Sequence, residues 1–172
     1  MTTENTESLL ISATSACLQQ GGRLTEKRKR VLSILLKSQQ PLSAYQICDC
    51  YSTVYAKSIS IMSVYRMLKF LQDMHLAHRL DTTNQYVPCS HINMQEFHDA
   101  SHVSPQFLIC DQCNHVNEVC LGENTLNILN RELERCGFSM QENQLEIHGT
   151  CRQCSPPIDN SSVLGSSDTA PP

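Results

Sequence analysis

The chain has 172 residues, ten of them cysteine, and a formal net charge of −4 at pH 7. It has no apolar run near the roughly 18 residues of a membrane span and no apolar signal segment behind a basic start, which argues against membrane insertion and secretion. Disulfide scaffolds are short secreted chains, so these cysteines predict a cytoplasmic protein that uses reduced thiols for metal binding or redox chemistry.

The charge is distributed unevenly along the chain. Residues 21–80 carry ten Lys and Arg against three Asp and Glu, whereas residues 81–172 carry three against twelve. Such opposed halves indicate a basic domain that meets an anion and an acidic domain with another role. The alternative is an undirected drift of surface charge.

The first half of the chain predicts a helix-turn-helix. Apolar spacing, caps and breakers place helices at residues 9–20, 26–38, 44–56 and 60–74. Thr25 and Ser43 are predicted to cap the second and third helices. The fourth is amphipathic and carries Tyr65, Arg66 and Lys69, which completes the outline of a DNA-binding helix-turn-helix.

A β-hairpin is predicted directly after the fourth helix. In "LAHRLDTTNQYVPC", residues 76–89, two β-prone segments flank the turn-forming "DTTN". A hairpin in this position makes a winged helix, and the alternative is a helical bundle followed by a loop.

The second half predicts a small ββαβ domain, so the expected fold class is α+β. Strands are expected at 106–110 and 115–120, a helix at 126–136 stopped by Gly137, and a strand at 144–149. The Pro- and Ser-rich residues from 155 onward cannot bury much surface and are predicted to be disordered.

Two Cys-x-x-Cys pairs predict a structural zinc site. Cys110, Cys113, Cys151 and Cys154 would supply four soft thiolate ligands from two tight turns, at tetrahedral positions. The site would pin the last strand to the first hairpin of the domain. Two disulfides or two redox pairs are the alternatives, although neither pair stands at a helix start after a strand, as in a thioredoxin-like motif.

A looser set of metal-ligating side chains crowds around the hairpin and the loop after it. The set comprises His75, His78, Cys89, His91, His98, His102, His115, Glu118 and His148. Imidazole, thiolate and carboxylate together suit Zn²⁺ and several other divalent metals. A lone histidine is more often a surface or hydrogen-bonded residue than a ligand. The remaining cysteines, Cys17, Cys48, Cys50, Cys120 and Cys136, are interpreted as small apolar fillers.

Taken in order, these features resemble the ferric uptake regulator family, and within it the zinc-responsive members. The resemblance covers about residues 8–154 and is carried by "RLTEKRKRVL", "PLSAYQI", "SVYRMLKFL", "LAHRLDTTNQYVPC", "FLICDQCNHVNEVC" and "HGTCRQC". It implies a homodimer with an N-terminal winged helix and a C-terminal α/β dimerisation domain. The domains are then a flexible N-terminus (1–8), a winged-helix DNA-binding domain (9–88), a hinge and metal-ligand loop (89–105), a zinc-containing dimerisation domain (106–154) and a disordered tail (155–172).

The resemblance also implies two zinc ions per subunit and a DNA-contacting surface. The structural zinc falls to Cys110, Cys113, Cys151 and Cys154. The residues that match the sensing zinc site are His78, Cys89, His102 and Glu118, with His98 as the substitute for His102. The DNA contacts fall to Arg28, Tyr45, Tyr65, Arg66 and Lys69, of which Tyr45 and Arg66 are the candidates for touching bases.

The resemblance implies a zinc-sensing repressor of zinc-uptake genes that binds double-stranded operator DNA as a zinc-loaded dimer, with neither membrane nor small-molecule substrate. A thiolate at Cys89 favours zinc over iron because soft sulfur suits a tetrahedral Zn²⁺ site. An iron- or peroxide-responsive regulator of the same family and a structural zinc module for nucleic acid or protein are the alternatives. An enzyme is not expected, since the deaminase pattern H-x-E followed by P-C-x-x-C is absent.

Overall fold

The computed structural model describes residues 3–92, 105–140 and 144–155. Their helices are α1 (Thr3–Gln19), α2 (Glu26–Lys37), α3 (Ala44–Tyr55), α4 (Ile61–Asp73) and α5 (Glu123–Arg135). Their strands are β1 (Ala77–Leu80), β2 (Gln85–Pro88), β3 (Gln106–Cys110), β4 (Val116–Val119) and β5 (Leu145–Gly149). The predicted α+β class, a winged helix followed by a ββαβ domain, is confirmed.

The N-terminal helices follow the predicted order. Ser43 accepts a hydrogen bond from the Gln46 N–H and the Gln46 side chain accepts one from the Ser43 N–H, which closes a capping box. Thr25 occupies the N-cap of α2, but its side chain makes no capping hydrogen bond. Helix α1 begins earlier than predicted because Thr6, a polar residue that gives no apolar signal, is buried.

The main core lies among α1 to α4 and the hairpin. Helices α2 and α4 contribute apolar residues at helical spacing, with Val31, Leu32, Leu35, Val64, Leu68 and Leu71 almost fully buried. None of the described helices is both long and apolar enough to cross a lipid bilayer.

We call the hairpin of β1, β2 and their turn, residues 77–88, the wing. Its strands pair antiparallel, with His78 opposite Val87. In the other sheet β3 lies in the middle, antiparallel to β4 and parallel to β5. Leu80 and Val87 of the wing form a small second core with Phe107 and Ile109 of β3. The wing is therefore packed between the helices and the second sheet.

Helix α5 ends at the predicted glycine and leaves much of its apolar face uncovered within the chain. Gly137 adopts the left-handed conformation, and the Phe138 N–H donates to the Leu133 carbonyl at 2.9 Å, as in a Schellman motif. Leu126 is the one buried residue of this helix, while Ile128 is exposed.

Candidate metal centres and DNA-facing surface

The four cysteines of the two Cys-x-x-Cys pairs converge where β3 and β5 end. Their sulfur atoms all lie within 4.8 Å of one another. The Sγ atoms of Cys113 and Cys151 are 3.7 Å apart, close to the roughly 3.8 Å that tetrahedral Zn–S bonds impose. All the described cysteines are free thiols, which does not support the alternative of two disulfides.

The protonation of these thiols fits a bound cation. Backbone N–H groups of Cys151 and Cys113 point at Cys110 Sγ and lower its pKa to about 6. Hydrogen bonding of the Cys154 thiol to Cys113 and Cys151 raises its pKa to about 12. One thiol is thus acidic while another is held protonated, and all four can ionise together only beside a soft divalent cation that replaces the remaining protons. The donor set therefore fits Zn²⁺.

A second ligand group joins the wing to the second sheet. His78 stands on β1, Cys89 follows β2, and Glu118 stands on β4; their ligand atoms lie within 4.8 Å of one another. Glu118 Oε1 is 3.4 Å from His78 Nε2 and 3.9 Å from Cys89 Sγ. We call this set the sensing group. Its geometry depends on how the wing lies against the sheet.

The sensing group also fits a metal ion. His78 Nε2 is buried, and its approach to Glu118 Oε1 at 3.4 Å lacks the geometry of a full hydrogen bond. A buried polar atom in this state is costly unless another ligand satisfies it. Burial, reinforced by the Glu118 carboxylate, raises the pKa of Cys89 to about 12. A zinc ion would give the His78 nitrogen a full partner and would replace the Cys89 thiol proton.

Glu118 is already prepared as an anionic ligand. Burial opposes its ionisation, but the His78 imidazole and the Ser90 N–H, which donates to Oε2 at 2.8 Å, together lower its pKa to about 2. Hydrogen bonds to an ionised carboxylate are stronger than neutral ones and fix its orientation. The carboxylate is thus held toward His78 and Cys89 without any metal.

The fourth predicted sensing ligand cannot be located, because His98 and His102 lie outside the described residues. His91, which the sequence places only in the looser set, comes close to the group. Its Nδ1 is 3.1 Å from Glu118 Oε1, and its Nε2 is 3.8 Å from Cys120 Sγ. Its position two residues after Cys89 is the signal that could have singled it out.

The apolar-filler interpretation of the other cysteines holds only in part. Cys17 is fully buried, and Cys48 and Cys50 are half-buried in the helical core. Cys120 and Cys136 are exposed, so the interpretation is wrong for these two. Both lie on the second domain, where the described core is too small to cover them.

Both residues that are predicted to contact bases face solvent on the helix-turn-helix. Tyr45, at the start of α3, and Arg66, early in α4, are both exposed, while Tyr65 is half-buried. Lys69 lies one turn further along α4 and pairs with Asp73, its Nζ 2.5 Å from the carboxylate oxygen. Tyr45, Arg66 and Lys69 are therefore accessible from solvent.

Arg28 is more constrained than the sequence suggests. Its guanidinium lies over the Phe70 ring, 3.4 Å from the centroid, and its Nη1 donates to the Arg23 carbonyl at 2.6 Å. Stacking of this kind fixes an arginine that would otherwise be mobile. The neighbouring Lys27 is exposed.

The chain combines a winged helix with a four-cysteine domain, and the sensing group takes ligands from both. This arrangement is that of a two-domain protein with candidate metal sites. The sequence profile described as the ferric uptake regulator family matches residues 19–148. The chain belongs to this family, which confirms the resemblance seen in its motifs.

Individual relatives point to one branch of the family. The zinc uptake regulation protein of Escherichia coli (strain K12) is 34% identical over 149 residues, covering 87% of this chain and 82% of that protein. A solved zinc uptake regulator complexed with zinc and DNA aligns with a TM-score of 0.71 at 32% identity, over 90% of this chain and 96% of that one. The solved structure of holo XcZur aligns with a TM-score of 0.69 at 31% identity, over 86% of this chain and 96% of that one.

Proposed function

We propose that the protein is a zinc-sensing transcriptional repressor that binds operator DNA as a zinc-loaded homodimer in the cytoplasm and controls zinc-uptake genes. The observation that carries this proposal is the sensing group, which joins the DNA-binding wing to the second domain. The similarity to zinc uptake regulators, one of them solved with zinc and DNA, supports the same function.

The sensing group supports zinc rather than iron as the regulatory metal. A buried thiol, an imidazole and a carboxylate form a mixed soft and borderline donor set that suits tetrahedral Zn²⁺. We assign the fourth ligand to His102, with His98 as its substitute. The four cysteines are assigned to a structural zinc, which gives two ions per subunit.

Regulation follows from where the ligands stand. His78 and Cys89 belong to the winged-helix side (residues 9–88 and the start of the hinge), whereas Glu118 belongs to the dimerisation side (106–154). Zinc, when bound, supplies the bond that ties the two sides together. A ligand that needs both sides stabilises the arrangement in which they meet, and so biases the orientation of the wing. In a dimer that orientation decides whether helix α4 of each subunit, which carries Arg66, reaches one of two successive major grooves.

The second domain offers a face for a second copy of the chain. Leu108 and Ile147 are neighbours on β3 and β5, and 40% and 47% of their surfaces are exposed. Ile128 of α5 and Phe138 after it are exposed as well. Large apolar side chains that stand exposed next to one another, as Leu108 and Ile147 do, are candidates for burial in an interface. We assign it to the homodimer.

The metal content of the purified protein tests the proposal. Two zinc ions per subunit are expected, one of which a mild chelator removes without unfolding the protein. Elemental analysis before and after chelation, with circular dichroism on the same samples, gives both numbers. A single zinc ion per subunit, whose removal unfolds the protein, would instead indicate a structural zinc module.

Zinc affinity at the sensing group is expected to fall as the pH falls. With the Cys89 pKa raised to about 12, the thiol is protonated at neutral pH, so each zinc that binds releases its proton. Affinity is then expected to drop about tenfold for each pH unit. Glu118, with a pKa of about 2, adds no slope near neutrality.

Competition with a chromophoric chelator, corrected for the chelator's own protonation, measures that slope. Cys89→Ser is the matched control: it is expected to hold no zinc at the sensing group, so any zinc that it takes up in the same titration binds elsewhere. A wild-type affinity that stayed constant between about pH 7 and 8 would contradict the assignment of Cys89 as a ligand.

Arg66 and Lys27 are expected to contribute differently to DNA binding. An arginine can bridge two acceptors on a guanine edge, a contact that discriminates by about 1–3 kcal/mol. Arg66→Ala is therefore expected to flatten the preference for operator over scrambled DNA. Lys27→Ala is expected to weaken both DNAs alike and to reduce the salt slope by roughly one unit for a lost phosphate contact.

Binding isotherms for both variants at several salt concentrations measure these effects. Arg28→Ala is a third case, because its guanidinium packs on Phe70. This variant is expected to lose stability in addition to losing any phosphate contact that Arg28 makes. An Arg66→Ala protein that behaved like Lys27→Ala would remove the base-reading role from Arg66.

A further inference from the structure

The wing is attached to the second sheet at its tip as well as at its base. The Glu146 carboxylate on β5 accepts hydrogen bonds from the backbone N–H groups of Asp81 at 2.5 Å and Thr82 at 3.0 Å, and a further one from the Thr82 hydroxyl. Gln144 Nε2 lies 3.1 Å from Glu146 Oε1 and 2.9 Å from the Arg79 carbonyl. We call these contacts the tip contact.

A second side chain of β5 reaches the same turn. His148 Nε2 is 3.2 Å from Thr82 Oγ1, and His148 Nδ1 is 2.8 Å from Asp111 Oδ1. Asp111 lies between Cys110 and Cys113 in the first cysteine turn. The tip of the wing is thereby connected to the turn that carries the structural zinc ligands.

The tip contact is made by an ionised carboxylate. Partial burial opposes ionisation of Glu146, but hydrogen bonds from Thr82, Asp81 and Gln144 hold its pKa below the usual range. The N–H groups of Asp81 and Thr82 stand in the turn, beyond the paired residues of the wing, and Glu146 satisfies both. Charge-assisted bonds of this kind are roughly twice as strong as neutral ones.

The two ends of the wing are attached by different chemistry. At the base, His78 and Cys89 meet Glu118 across the sensing group. Between base and tip, Leu80 and Val87 pack on Phe107. The tip contact uses only the protein's own hydrogen bonds, so it holds the wing against the sheet before any metal arrives at the base.

We propose that Glu146 is a positioning residue that attaches the wing tip to β5 and thereby sets the zinc affinity of the sensing group. The proposal rests on the proposed function, since it concerns the same zinc. A site whose ligands meet in only a fraction of the molecules binds with an affinity reduced by that fraction. By keeping the wing on the sheet, Glu146 raises the fraction in which His78 lies beside Glu118.

The test compares Glu146→Gln and Thr82→Val with Glu7→Gln, a control that neutralises an exposed carboxylate on α1. Full-length protein carrying only its structural zinc is titrated with zinc against a chelator. Hydrogen exchange of the Asp81 and Thr82 amides is followed by NMR in the same samples. Since hydrogen bonds to a charged group are being weakened, Glu146→Gln is expected to weaken sensing-zinc binding about tenfold and to speed exchange of both amides.

The structural zinc and the Glu7→Gln control are expected to be unchanged. Combining Glu146→Gln with Thr82→Val is expected to give less than the product of the single effects, because the two residues form one contact. Unchanged sensing-zinc affinity in Glu146→Gln would overturn the positioning role, even with faster amide exchange. Unprotected exchange of the Asp81 and Thr82 amides in the wild type would show that the tip contact does not form in solution. A wild-type protein that took up no second zinc would contradict the proposed function, and this is seen before any variant is made.

Discussion

Cys110→Ser and Cys151→Ser are each expected to yield a protein whose second domain does not fold and does not dimerise. The described core of this domain is small: Phe107 and Ile109 pack partly against the wing, and α5 buries only Leu126. Structural zinc binding is folding free energy, about 10–16 kcal/mol in zinc-finger peptides. Loss of one thiolate from the four removes much of that stabilisation.

Light scattering coupled to size exclusion measures the dimer, and circular dichroism measures the folded content. Cys136→Ser is the matched control, because Cys136 is an exposed thiol on the same domain that lies outside both ligand groups. Folded dimers of wild-type stability in Cys110→Ser and Cys151→Ser would contradict the structural zinc site.

Cys89→Ser is expected to leave a folded dimer with about half the wild-type zinc, whose DNA binding no longer responds to zinc. Cys89 lies after the wing rather than in the four-cysteine group, so the second domain keeps its structural ion. A serine hydroxyl is a poor zinc ligand, and without the thiolate the remaining ligands, His78, Glu118 and the assigned His102, are expected to hold the ion less tightly.

Elemental analysis and operator titrations at fixed free zinc measure both parts of this expectation. Glu118→Gln is expected to act in the same direction, since it removes the ligand on the opposite side of the group. A Cys89→Ser protein that still required zinc for DNA binding, with unchanged affinity, would show that the regulatory zinc binds elsewhere.

Local sequence patterns predicted the elements of the fold well. The Ser43 cap, the turn "DTTN" between β-prone segments and the strand "QFLIC" all mark features that the structure contains. These signals act over a few residues, which is why one sequence suffices to find them. The start of α1 was missed because its burial rests on Thr6, a polar residue.

The candidate sites were predictable to different degrees. The four cysteines were predictable as zinc ligands from their spacing alone, because each Cys-x-x-Cys pair forms one tight turn. The sensing group came from the family resemblance, since nothing local links His78 to Glu118. The tip contact had no signal at all: Thr82 and Glu146 meet across two domains, and each alone looks like an ordinary surface residue. Long-range polar contacts between exposed loops and strands leave no periodicity in a sequence.

The central claim is that zinc at the sensing group controls DNA binding, and one measurement tests it most directly. Wild-type protein is incubated with a promoter library, once with excess zinc and once after chelation that leaves the structural ion in place, and the retained DNA is sequenced. With zinc, a small set of related operator sequences upstream of zinc-uptake genes is expected to be retained, and after chelation that set is expected to be lost. Retention of the same operators under both conditions would contradict the account.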